Sequence, residues 1–118
     1  MTRIRYIAAA AAAVLTLVLA APATAATKLV ATVGPGFTIS LTKGGKKVTK
    51  LAPGAYTITV RDRATTHNFF LKGPGPLTRN SGVAFTGTRT WNVRLKRGKY
   101  TFVCTPHATM MKGSFTVG

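Results

Sequence analysis

The chain has 118 residues, of which 17 are lysine or arginine and one is acidic, so its formal charge is +16. A hydrophobic content of 46% excludes a disordered basic tail, because such tails lack the apolar material for a core. The length suits one domain with a single modest core.

Residues 1–25 read as a secretory signal peptide. Arg3 and Arg5 form a positive start, Ile7 to Ala20 an apolar run of Ala, Leu and Val, and Pro22 breaks the segment before Ala23-Thr24-Ala25, a small-x-small cleavage pattern. The competing reading is an uncleaved anchor, since the run approaches the length that spans a bilayer. No cysteine lies near the junction to carry a lipid, and the first two arginines are not adjacent. Export of an unfolded chain is therefore expected. The mature domain, residues 26–118, would lie in the periplasm, outside the cell or in the cell envelope, and would keep a charge of +14 after loss of Arg3 and Arg5. One cysteine forbids an internal disulfide, and a lone cysteine in an exported chain needs a reason: intermolecular pairing, a reactive thiol or a metal.

From residue 28 onward the pattern is that of β-strands. Lys28 to Val33 is a first strand, stopped by Gly34-Pro35-Gly36. Phe37 to Thr42 alternates apolar and polar residues, the signature of a half-buried strand. Lys43-Gly44-Gly45-Lys46 signals a hairpin, a short basic strand runs to Leu51, and Pro53-Gly54 turns the chain. Ala55 to Val60 alternates again. The polar stretch Arg61 to Thr66 leads to a strand over His67 to Leu71, with His67, Phe69 and Leu71 on one face and Asn68, Phe70 and Lys72 on the other. Leu77 to Gly87 reads as mostly loop. Thr90 to Leu95 is a strand with Trp91, Val93 and Leu95 facing in, and Tyr100, Phe102 and Cys104 alternate inward along the next. Gly113 to Val117 closes the fold. Seven or eight short strands separated by turn signals predict an all-β sandwich.

The stretch Cys104-Thr105-Pro106-His107-Ala108-Thr109-Met110-Met111-Lys112-Gly113 concentrates the chemistry. It holds the only cysteine, one of two histidines and two of three methionines. Pro106 bends the chain after Cys104, so His107 can fold back towards the sulfur, and a methionine further round can approach along the axis. His67 is the only other histidine. Taken singly, each residue has a bland explanation: a buried thiol, a polar strand start, core-filling methionines. Taken together, one cysteine, two histidines and a thioether match the trigonal site of blue-copper electron-transfer proteins, with a weak axial methionine. Zinc is the rival metal, but its structural sites favour four strong ligands and its catalytic sites leave the fourth position to water.

Cys104-Thr105-Pro106-His107, followed by Met and Lys112-Gly113, resembles the C-terminal loop of the cupredoxins, the family of plastocyanin, amicyanin, pseudoazurin and azurin. His67-Asn68-Phe69 resembles their upstream ligand strand, and Tyr100 to Val103 the strand that enters the cysteine. The resemblance covers residues 28–118. It implies an eight-stranded Greek-key β-sandwich with one type 1 copper ion at one end. Carried over by motif, Cys104 would supply the thiolate, His67 and His107 the imidazoles, and Asn68 hydrogen bonds around the sulfur and the loop. His107 would lie near the surface as the electron exit. Met110 fits the shorter histidine-to-methionine spacing of amicyanin-like loops and Met111 the longer one of azurin. Met111 is favoured as axial ligand because it directly precedes Lys112-Gly113, with Met110 the alternative. Val103 stands where plastocyanin has a tyrosine serving a remote electron route.

The charge predicts anionic partners. Lys43, Lys46, Lys47 and Lys50 cluster around one hairpin, and Arg94, Lys96, Arg97 and Lys99 around another turn. Redox proteins with acidic docking surfaces are expected partners, and an anionic membrane or envelope surface is a further candidate. General solubility explains the same charge. No recognition helix or aromatic strand motif points to nucleic acid. A monomeric electron carrier is expected rather than an enzyme, since no ligands remain for a second metal centre. Copper storage, delivery or resistance is the alternative, though it would call for more exposed methionines and histidines than this chain has.

Overall fold

The computed structural model describes residues 9–17 and 25–118. Arg3, Arg5 and the stretch from Pro22 to Thr24, on which the signal-peptide reading rests, lie outside the described residues. No helix among the described residues is long and apolar enough to cross a membrane.

Among the described residues, ten strands form two five-stranded sheets. The first has the order β3-β2-β1-β5-β8, from β1 (Thr27–Val33), β2 (Ile39–Lys43), β3 (Lys46–Lys47), β5 (Gly54–Asp62) and β8 (Gly87–Leu95). The second has the order β4-β10-β9-β6-β7, from β4 (Lys50–Leu51), β10 (Lys112–Val117), β9 (Gly98–Val103), β6 (Phe70–Lys72) and β7 (Thr78–Asn80). The chain crosses between sheets after β3, β4, β5, β7 and β8, giving the Greek-key sandwich. β1 runs parallel to β5 and β4 parallel to β10; the other pairings are antiparallel.

The alternation read in the sequence is the alternation that is buried. Leu29, Ala31 and Val33 of β1, Tyr56, Ile58 and Val60 of β5, and Tyr100 and Phe102 of β9 all enter the space between the sheets. Each large side chain so removed from water contributes about 1.5–3 kcal/mol. Phe69 stacks on Phe102 and Tyr100 on Phe115, both with ring centroids 5.1 Å apart. The Tyr100 hydroxyl donates to the Lys96 carbonyl and accepts from the Lys96 N–H, at 3.0 and 2.9 Å, which pins the β8–β9 turn. Gly44 and Gly45 both take positive φ, +56° and +79°, as a two-residue hairpin with the right strand twist requires.

The strand count exceeds the expected seven or eight because two-residue strands form at β3 and β4, and because Thr78–Asn80, expected as loop, pairs with β6. The expected strand from His67 also begins late, at Phe70. His67, Asn68 and Phe69 are all buried, so they do not alternate. Asn68, expected on the face opposite His67, turns inward because its amide group bonds both to the loop after β9 and to Asn80.

Candidate metal centre

Cys104 follows β9 in an extended conformation, with φ −89° and ψ 116°. A short 3-10 turn then spans Thr105–His107, with Pro106 in its first turn, where its missing N–H costs nothing. Backbone bonds close the loop on itself. The His107 N–H donates to the Cys104 carbonyl at 3.0 Å, and the N–H groups of Met110 and Met111 donate to the His107 carbonyl at 3.0 and 2.9 Å. The Cys104 N–H donates to the Met111 carbonyl at 2.9 Å. Met111 thereby enters the core fully buried, while Met110 is 58% exposed. Gly113 follows because the Phe102 ring lies against its backbone: a Cβ there would run into the ring.

His67 arrives differently, from the irregular segment between β5 and β6. Its N–H donates to the Ala64 carbonyl at 3.4 Å. The Ala64 N–H donates in turn to Asp62 Oδ1 at 3.1 Å. Two residues on, the Phe69 N–H donates to Ser81 Oγ at 2.8 Å. Asn68 joins this segment to the loop. Its Oδ1 accepts from the Thr105 N–H at 2.7 Å and from the Thr105 hydroxyl at 3.3 Å. Its Nδ2 donates to Asn80 Oδ1 at 3.0 Å, and that oxygen also accepts the Gly82 N–H at 2.9 Å. These bonds tie the loop to the His67 segment, and they run to Thr105 and Asn80 rather than to the sulfur.

The two segments bring three donor atoms together. Cys104 Sγ lies 3.6 Å from Nδ1 of His67 and 3.6 Å from Nδ1 of His107, and the two nitrogens are 3.0 Å apart. A point in the plane of such a triangle lies about 2.0 Å from each atom, the length of a bond between imidazole nitrogen and a small first-row ion. Sulfur and His67 are buried and His107 is partly exposed. The donor set therefore fits copper: a soft sulfur, two borderline nitrogens and a shielded position, with a thioether-bearing residue sealed into the core at the base of the loop.

Three neighbours escaped the sequence reading. Phe37, 59% exposed, lays its ring against both imidazoles, with centroids 5.7 Å from His67 and 4.9 Å from His107. The turn holding it is closed by Gly34 N–H to Thr38 carbonyl at 2.8 Å. Asn80 and Ser81, inside the expected loop, brace Asn68 and Phe69. Only the Asn-Ser-Gly composition hinted at a turn with side-chain bonds. Asp62, the sole acidic residue, is 3% exposed, and its Oδ2 has no hydrogen-bond partner. Burial raises its carboxyl above the usual value, while the Ala64 N–H and the nearby His67 pull it back.

A Greek-key sandwich with a cysteine and two histidines gathered at one end defines a class: the type 1 copper proteins of cupredoxin fold. Residues 38–118 match the family described as copper binding proteins of the plastocyanin/azurin type, and the chain belongs to that family. Solved structures agree in fold. Rusticyanin from Thiobacillus ferrooxidans is 25% identical, with a TM-score of 0.55 over 77% of this chain and 76% of that one. A methionine-to-glutamine variant of rusticyanin is 24% identical, with a TM-score of 0.58 over the same shares. A Cu(I) amicyanin variant is 17% identical, with a TM-score of 0.53 over 78% of this chain and 83% of that one. No curated protein matches the sequence.

Proposed function

We propose that this is an exported electron carrier, holding one copper ion on His67, Cys104, His107 and, axially, Met111, and passing single electrons between redox proteins. The observation that carries the reading is the triangle of Sγ and two Nδ1 atoms. Copper bound there would supply one-electron chemistry by cycling between its two common oxidation states. The protein's contribution is to hold the donors still. The closed loop fixes Cys104 and His107, and Asn68 fixes the loop to the His67 segment, so little needs to move when charge changes.

Burial of Met111 against exposure of Met110 supports Met111 as the axial group. Part exposure of His107, beside exposed Phe37 and Met110, supports electron exit at that end. The chain has no further cysteine or histidine from which to build a second, substrate-binding centre, which supports a carrier rather than an enzyme. Redox partners with acidic surfaces fit the charge, and the apolar run near the N-terminus fits export as a monomeric domain starting near Ala26.

The test is the visible spectrum of residues 26–118 titrated with copper(II), beside Cys104→Ala. Intense blue absorption at about one equivalent, bleached by reductant and absent in the variant, supports the proposal. Tight but colourless binding would instead mean storage or delivery. Reduction by an acidic partner should slow as ionic strength rises, and a rate indifferent to salt would remove the docking part.

A further inference from the structure

Asp62 is the only acidic side chain and is buried, so no exposed lysine or arginine has a side-chain carboxylate to pair with. The two outer faces use this excess differently. On the first sheet, away from the β2–β3 edge that carries Lys43, Lys46 and Lys47, the register sets Thr57 beside Asn92, Thr59 beside Thr90 and Arg61 beside Thr88, a face of hydroxyls with scattered Lys28, Arg61 and Arg94. On the second sheet, Thr116 of β10 pairs with both Lys50 and Lys99, and Ser114 with Thr101.

Beside that face runs a groove of about 440 Å3, lined by Lys47, Lys99, Thr101, Lys112 and Ser114 among others. An adjoining hollow of about 360 Å3 is lined by Lys43, Lys46, Lys47 and Lys50. Lys47 borders both, so the two form one continuous track. It follows β10 from Lys112, next to the metal-site loop, to the row of Lys50, Thr116 and Lys99, about 13 Å away at strand rise. All six of these lysines are exposed.

We propose that this track is a docking surface for a linear phosphate polymer. Every cation in it is lysine, a point charge suited to repeated phosphates, with no guanidinium fork to select carboxylates bidentately. Serine and threonine hydroxyls stand between the charges. The track has no exposed aromatic or methionine residue, whereas protein interfaces are enriched in such anchors and bases need aromatic platforms. Those anchors lie elsewhere, as Phe37 and Met110 beside His107. A redox partner and a polyanion could therefore be held at once, on different surfaces.

The test uses long-chain inorganic polyphosphate as probe and two variants of equal net charge. One carries Lys47→Glu, Lys50→Glu and Lys99→Glu in the track. The other carries Lys28→Glu, Arg61→Glu and Arg94→Glu on the opposite face. Thermal midpoint and blue absorption report that both fold. Affinity should fall at least roughly tenfold in the track variant, with its dependence on log salt flattened by about two to three units, and much less in the other. Equal losses would show that net charge alone matters and would overturn the proposal, as would no loss in either. So would a track variant that keeps polyphosphate but loses reduction by an acidic redox protein. Track-dependent binding of anionic phospholipid vesicles without polyphosphate binding would overturn it too.

Discussion

The segment 104–111 and the segment 62–69 deliver donors to the same point by opposite means. The first is held by its own backbone, with bonds from Cys104, His107, Met110 and Met111 all closing within the loop. The second has one backbone bond of its own, from the His67 N–H to the Ala64 carbonyl, and otherwise depends on side-chain bonds: Asp62 on Ala64 within the segment, and Ser81 on Phe69 and Asn80 and Thr105 on Asn68 from outside it. A self-closed loop keeps its geometry when a distant residue changes. A segment without a ladder of its own depends on each borrowed bond, and an unmade bond in its buried interior leaves a desolvated group unpaired.

The largest effect is expected on the self-closed side and is chemical rather than structural. Cys104→Ala removes the sole thiol while every backbone bond of the loop persists. Blue absorption should vanish, and the thermal midpoint of the metal-free protein should shift far less than a core deletion would shift it. A variant that stayed blue would place the thiolate elsewhere, which no other cysteine permits.

Next comes the contrast between adjacent methionines. Met111→Ala empties a fully buried site and should cost about 2–5 kcal/mol of stability, together with an altered spectrum. Met110→Ala, at 58% exposure, should stay within about 0.5 kcal/mol and leave the colour unchanged. Denaturant melts and spectra of the pair read both quantities, and a reversed order would make Met110 the axial group.

On the borrowed side, Asn68→Ala leaves the Thr105 N–H without its partner, while Asn80 Oδ1 keeps the Gly82 N–H. About 1–3 kcal/mol is expected for the one group so orphaned. Copper release to a chelator should also quicken, because the His67 segment and the Cys104 loop lose their direct link. A stable variant with unchanged release would mean that packing alone aligns the two.

What was legible in the sequence follows the same division. Cys104, Pro106, His107 and Met111 sit within eight residues, so their proximity is local and the loop could be read directly. The strands of the core announced themselves by alternation, since one face of each is buried. The break in that alternation at Asn68 could not be seen, because it depends on Asn80 and Thr105, distant in the chain. Phe37 read as the start of a strand, and nothing near it signals a ring packed on His67 and His107. The charge clusters were legible by turn but not by surface. Arg94 and Lys99 are close in sequence, but β8 and β9 belong to different sheets, and Lys99 shares its surface with the lysines of the first hairpin instead.

The smallest effect concerns Asp62, and its sign separates a bond that helps from a charge that does not. Desolvation lifts the carboxyl above its ordinary value of 3.8, against the Ala64 N–H and His67, which lower it. Between 3.8 and the raised value, the folded chain keeps a proton that the unfolded chain has released. Stability from this group is therefore present in acid and lost as pH rises through that window. Asp62→Asn keeps an oxygen for the Ala64 N–H and removes the charge. Its thermal midpoint relative to the parent, measured without metal, should improve as pH climbs through the window and level off above it. A difference that is flat, or that favours the parent as pH rises, would mean the carboxylate is stabilised by His67 more than it is penalised by burial. The segment carrying His67 would then be anchored by an ion pair rather than by the Ala64 bond alone.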